Sequence, residues 1–206
     1  MTDTVLIPGG RDVRATLDVA ASDGTRSDAV VVASPPHPQH RGHRGDERLT
    51  AVSDALATHE VDCLRFDYGE WDEGYGECTD TDEAVGWARE RYDRVGLFGF
   101  SFGGTVALVT AASRPDLAGV CALAPTARLN PDVDAVAALS EIVNHGVPVQ
   151  VVYATRDSTA DCEPVVERAD TLGIETIAFD ADHFFVGRTG DVADAVTEAM
   201  LPWLTD

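Results

Sequence analysis

Gly99-Phe100-Ser101-Phe102-Gly103-Gly104 stands between an apolar run, Val95 to Phe98, and an apolar stretch opening Thr105-Val106-Ala107-Leu108-Val109. A strand that passes through so tight a turn straight into a helix needs small residues two before and two after the turning point. Gly99 and Gly103 meet that need. The arrangement predicts a strand, an elbow and a helix, with the Ser101 hydroxyl raised above a sheet and the backbone N–H of Phe102 free at the helix start to hold an oxyanion. A glycine-rich helix start can also cradle a phosphate, but there is no Gly-x-Gly-x-x-Gly spacing here and no Lys to reach one.

The rest of the chain alternates short apolar runs with longer amphipathic ones, the pattern of an α/β fold with a mostly parallel sheet flanked by helices on both faces. Val5–Ile7 and Val13–Val19 read as an edge hairpin. Further strands are expected at Ala29–Ala33, Val61–Phe66, Val95–Phe98, Val120–Leu123, Val149–Tyr153 and Glu175–Phe179, with helices over 46–59, 80–92, 102–113, 133–144, 162–172 and 190–204. The run Ala29-Val30-Val31-Val32-Ala33 has no polar alternation, as a strand covered on both faces requires. Thr79 or Asp80 is the expected cap of the second helix. The 206 residues carry no repeat or linker and are read as one domain, 1–206. Only Ala124 to Pro131 separate a strand from the next helix, which leaves no room for a cap over the elbow.

A serine hydroxyl needs a neighbouring base to take its proton. Behind a nucleophile elbow the partners follow in the order acid, then histidine, and only His145 and His183 come after Ser101. His145 lies in Asn144-His145-Gly146, a helix end where a cation serves as a cap. His183 follows the last strand, on the same sheet edge as Ser101, and is the preferred base. The acid that orients it is expected at Asp157, first carboxylate after the strand Val149–Tyr153. Asp161, a candidate helix cap, is second, and Asp132 and Asp134 are more distant alternatives.

A second oxyanion donor is expected from Ser34-Pro35-Pro36-His37-Pro38-Gln39-His40-Arg41-Gly42-His43. Prolines carry no N–H, so the His37 amide is the first candidate and Gln39 the second. His37, His40 and His43 recur every third residue, but the prolines and Gly42 preclude the continuous helix that would converge their rings, so no metal is expected. His40 and Arg41 are read as substrate contacts on the rim. Trp71 and Tyr75, beyond Asp67-Tyr68-Gly69-Glu70, are candidates for the pocket mouth, with a purely structural loop equally open.

Composition limits the partners. There are 36 acidic residues against 15 basic ones, all Arg, for a formal charge of −21. Such self-repulsion is tolerated where salt screens it, and acids spread along the whole chain predict a protein adapted to a high-salt cytoplasm. Nothing forms the basic patch that nucleic acid needs. No apolar run of about 18 residues, which a membrane helix would require, is present, and no signal-peptide pattern opens the chain. Cys63 and Cys121 fall in apolar strands, and no Cys-x-x-Cys pair suggests zinc or redox chemistry. A cytoplasmic location follows as an expectation, with oligomeric state left open.

Four segments together resemble the small α/β hydrolases related to dienelactone hydrolase: the His37-Pro38 loop, Leu64-Arg65-Phe66-Asp67, the Gly99-to-Gly104 elbow and Asp182-His183-Phe184-Phe185. The resemblance runs from about Val30 to Leu204. Members carry His-Pro-His-Pro and then paired glycines, where this chain has Pro35-Pro36-His37-Pro38 and Arg41-Gly42. Dienelactone hydrolases proper use a cysteine nucleophile, where this chain has Ser101. The resemblance implies a cap-less α/β-hydrolase fold, but its lactone substrate does not carry over to a serine nucleophile. The triad and the open site make the expected activity that of a cofactor-free serine hydrolase acting on a small-molecule carboxylic ester or thioester, short-chain esters and acyl groups on a larger partner both being open. An acyltransferase or peptidase with the same triad, or a binding scaffold that keeps the fold, stays open.

Overall fold

In chain order the elements are β1 (Thr2–Ile7), β2 (Val13–Asp18), β3 (Ala29–Ser34), a single 3₁₀ turn (Pro38–His40), α1 (Glu47–Ala57), β4 (Asp62–Phe66), α2 (Tyr75–Arg89), β5 (Arg94–Phe100), α3 (Phe102–Ala111), β6 (Gly119–Leu123), α4 (Ala135–Asn144), β7 (Val149–Ala154), α5 (Glu163–Leu172), β8 (Thr176–Phe179) and α6 (Thr189–Leu204). They are taken from a computed structural model that describes residues 1–11, 13–21 and 26–205. The strands form one eight-stranded sheet in the order β1-β2-β4-β3-β5-β6-β7-β8. β1 and β2 pair antiparallel, as do β2 and β4, and the remainder is parallel.

Every residue of β3 is buried, because helices cover both faces of the sheet. α1 and α6 pack together on one side, over Val31, Cys63, Phe98 and Leu123. α2, α3, α4 and α5 line the other, over Val30, Leu64, Leu97 and Val151. Phe66, Phe98, Phe100 and Phe185 are essentially fully buried, each contributing about 1.5–3 kcal/mol by leaving water.

The topology decides where chemistry can occur. From β3 the chain moves outward to β4, then crosses back so that β5 lies on the opposite side of β3. Loops leaving the carboxyl ends of β3 and β5 therefore diverge and open a crevice at the switch point. The register sets Ser34 beside Gly99. That brings the His37 loop next to the Ser101 elbow.

The second helix, expected over 80–92, sits about a turn earlier in the chain, and β1 starts at Thr2 where the pattern places Val5. α2 begins at Tyr75, and neither Thr79 nor Asp80 caps it. Gly74, at φ 101°, starts the helix, and the Glu77 carboxylate accepts the N–H groups of Asp72 (3.0 Å) and Gly74 (2.8 Å). Asp80 lies inside the helix, wholly buried, and accepts the Gly69 N–H at 2.9 Å. Arg11 Nε stands 2.8 Å from its other oxygen, an ion pair out of line for a hydrogen bond. Burial pushes the Asp80 carboxyl above its usual range, against the pull of Gly69 and Arg11. Likewise Asp161 does not cap α5. Cys162 occupies the cap position without a side-chain bond, and the Asp161 carbonyl accepts the Ala127 N–H.

Candidate active site

Ser101 has φ 57° and ψ −121°, outside the range an L-residue favours. Two features hold it there. Its N–H donates to the Leu123 carbonyl at 2.8 Å, and the glycines around it allow backbone to approach backbone. A Cβ on Gly99 would lie 2.1 Å from the Gly103 carbonyl oxygen, and one on Gly103 would lie 2.3 Å from the Ser34 carbonyl oxygen. Gly103 is thus required as much by the loop after β3 as by the elbow itself. Phe102, first residue of α3, has no carbonyl within the helix to receive its N–H.

Backbone bonds tie the loop after β7 to the loop after β8. Thr155 N–H donates to the Phe179 carbonyl (2.9 Å) and Arg156 N–H to the Ala181 carbonyl (3.1 Å). This brings Asp157 beside His183, although 26 residues separate them. His183 Nδ1 lies 2.6 Å from Asp157 Oδ2, and Nε2 lies 2.9 Å from Ser101 Oγ. Both the imidazole and the carboxylate are only 4% exposed. The other Asp157 oxygen accepts the N–H groups of Thr159 (2.8 Å) and Ala160 (2.9 Å), so the carboxylate cannot swing away. Phe100 packs under the ring, centroids 5.3 Å apart.

The remaining candidates fall elsewhere. His145 is the C-cap of α4. Asp134 caps the same helix through the Ala137 N–H (3.0 Å) and pairs with Arg128, and Asp132 accepts the Tyr75 hydroxyl at 2.7 Å. That bond holds Tyr75 away from the cleft.

Opposite the elbow, the Gln39 N–H is taken by His37 Nδ1 (3.2 Å), leaving the His37 amide as the loop's candidate donor. Tyr68 donates its hydroxyl to the Pro35 carbonyl at 3.2 Å and sets its ring edge against Phe102. The His37 imidazole stacks with His40 (4.5 Å) and with Trp71 (4.6 Å). Trp71 thus braces His37 and does not line the cleft. Burial, followed by the neighbouring His40, lowers the His37 pKa, with Glu77 opposing. His43 spends its Nδ1 on the Gly45 N–H.

Between these parts lies a cleft of about 330 Å³ bounded by Pro36, His37, His40, Arg41, Phe100, Ser101, His183 and Phe184. Arg48 and Thr159 also border it. The Arg48 guanidinium lies over the Phe100 ring (4.7 Å) and pairs with Asp46 (2.6 Å) and Glu47 (2.8 Å). Nothing in the local pattern of α1 marks Arg48 as a cleft residue. Phe184 and Thr159 were within reach of sequence reasoning, since each stands one or two residues from a candidate triad member.

The four cysteines are poor nucleophiles. Burial pushes Cys63, Cys78 and Cys162 up to about 12, and Cys121 higher still. No helix among the described residues is long and apolar enough to cross a membrane.

Comparison with known proteins agrees with this architecture. A lid-free α/β serine hydrolase from Xanthomonas campestris superposes with a TM-score of 0.82 at 21% identity, covering 100% of this chain and 96% of that one. The esterase Pf2001 of Pyrococcus furiosus gives 0.82 at 17% identity over 99% of this chain and 92% of its own. Est1E of Butyrivibrio proteoclasticus gives 0.81 at 18% over 97% and 98%. An uncharacterized protein of Rickettsia prowazekii is 22% identical over 184 residues, 81% of this chain and 76% of its own length. The fold is that of the cap-less α/β hydrolases. Residues 72–199, more than half of the chain and including Ser101, Asp157 and His183, match the dienelactone hydrolase family, and the chain is a hydrolase belonging to that family.

Proposed function

We propose that the protein hydrolyses carboxylic esters or thioesters through an acyl-enzyme on Ser101. His183 takes the hydroxyl proton as Ser101 attacks the carbonyl carbon, and Asp157 steadies the imidazolium that results. The amides of Phe102 and His37 receive the oxyanion, where fixed dipoles act without reorganisation. His183 then returns the proton to the leaving group, and a water activated by the same imidazole releases the acyl group. His40 and Arg41 contact the substrate from the rim, and Trp71 serves by holding His37. The whole chain works as one domain, in a reducing cytoplasm that suits its four free cysteines.

One observation carries this reading: the unbroken contact from Asp157 through His183 to Ser101, at 2.6 and 2.9 Å. Backbone strain at the serine is its companion, since strain of this kind gathers at functional sites. The neighbours described as esterases, and Est1E seen with ferulic acid bound, favour an ester as the scissile group. The test is labelling with a fluorophosphonate probe in molar KCl, followed by turnover of a p-nitrophenyl ester panel. Wild type should label on Ser101 and turn over esters, and Ser101→Ala should do neither. A folded wild-type protein that stays unlabelled would overturn the proposal.

A further inference from the structure

We propose that Phe184 is the specificity residue for the leaving group: its ring is the apolar wall against which the alcohol part of the ester lies. This rests on the reading of Ser101 and His183 given above. The bond from Ser101 Oγ to the acyl carbon forms first, its electrons pushing the carbonyl oxygen to an oxyanion, and when the carbonyl re-forms the bond from that carbon to the alcohol oxygen breaks. The proton passes from Oγ to His183 Nε2 and on to the departing oxygen, so the alcohol leaves as ROH. That oxygen must therefore sit within hydrogen-bond reach of Nε2. Whatever is attached to it extends along the imidazole side of the cleft, while the carbonyl oxygen turns the other way, toward Phe102 and His37.

Phe184 borders the cleft on that side. It stands edge-on to the His183 ring, centroids 5.1 Å apart and planes at 84°. Phe184 is 50% exposed, and Val186 beyond it is 73% exposed. One exposed apolar residue is ordinary. A half-exposed aromatic ring bordering the cleft that holds a reactive hydroxyl, in a chain of 36 acids and 15 arginines, is an apolar wall where water would otherwise favour charge. The loop is also built to hold Phe184 and Val186 outward. Asp182 Oδ1 accepts the N–H groups of Phe184 (3.0 Å) and Val186 (3.4 Å). Phe185, at φ 52°, turns its ring fully into the core against Phe179 and Phe100. His183 and Phe185 thus face inward, while Phe184 and Val186 face outward, and of these two Phe184 borders the cleft.

The experiment compares kcat/KM for two ester series in wild type, Phe184→Ala and Phe184→Leu. One series varies the alcohol on a constant acyl group, from ethyl to butyl to benzyl acetate. The other varies the acyl group on a constant alcohol, from ethyl acetate to ethyl butyrate to ethyl phenylacetate. The benzyl-to-ethyl ratio in the alcohol series should fall about tenfold in Phe184→Ala, the scale of losing one apolar contact in a pocket, and recover in part in Phe184→Leu. Ratios across the acyl series should stay within about twofold. Melting temperature, followed alongside, reports folding. An unchanged alcohol ratio overturns the proposal, as does a change confined to the acyl series or a uniform loss on every ester with folding intact. Wild type that hydrolyses none of these esters overturns the role of Phe184, and overturns the parent reading as well only if the fluorophosphonate probe also fails to label Ser101, whereas active wild type with an unmoved ratio removes only the role of Phe184.

Discussion

Ser101 at φ 57° and ψ −121° is a conformation that costs a β-carbon-bearing residue about 1–3 kcal/mol. Glycine adopts it without that cost but gives up about 0.5–1 kcal/mol of unfolded-chain entropy. The strain outweighs the entropy, so Ser101→Gly should melt higher than Ser101→Ala, both being inactive. Equal melting temperatures in differential scanning calorimetry would argue that the elbow holds no strain. His37 makes a second residue-scale prediction. Its pKa is lowered from 6.5 in the folded protein, by burial first and then by His40. Around that pH the unfolded chain therefore binds more protons, and stability is lost as pH falls through about 6.5. His37→Asn should show a shallower fall in melting temperature than wild type between about pH 7 and 5.5. Parallel curves would remove His37 from the linkage.

At the scale of elements, the elbow and the loop after β3 are one unit, locked by the close approach of Gly103 to the Ser34 and Pro35 carbonyl oxygens. Gly103→Ala must push that loop outward and move the His37 amide. The expected result is a loss of about 1–3 kcal/mol, as for overpacked sites generally, with an esterase kcat reduced at least tenfold. Urea denaturation and ester turnover together check both. Full activity would mean that the loop gives way freely and takes no part in holding the oxyanion. The elements were readable where period and composition agree, as in β3 with its five apolar residues. The start of α2 was not, because Gly74 and Glu77 make a cap that lacks the usual Ser, Thr or Asp signal, whereas Asp80, which looks like a cap, was recruited to pair with Arg11.

For the whole molecule the charge of −21 dominates. Arg11, Arg44, Arg65 and Arg114 are each engaged with an aspartate, and 15 arginines cannot neutralise 36 acids. At about 0.1 M salt the screening length is about 10 Å, falling to about 3 Å at 1 M, so the surplus repels itself strongly only in dilute buffer. Melting temperature should climb by several degrees from 0.1 to 2 M KCl. A flat or falling curve would remove the high-salt reading.

Taken alone, the sequence determined the alternation of strands and helices, the elbow at Ser101, the absence of space for a cap after β6, and the short set of residues able to serve as base, acid and amide donor. Those are local matters, set by side-chain period, glycine geometry and chain order. Only the tertiary structure decided which of them meet. Register between β3 and β5 brings the His37 loop beside Ser101, and the bonds from the Asp157 loop to that of His183 close the distance across 26 residues. The cleft role of Arg48, and the bracing of His37 by Trp71, come from packing between segments remote in the chain. No spacing in a linear pattern encodes such distances.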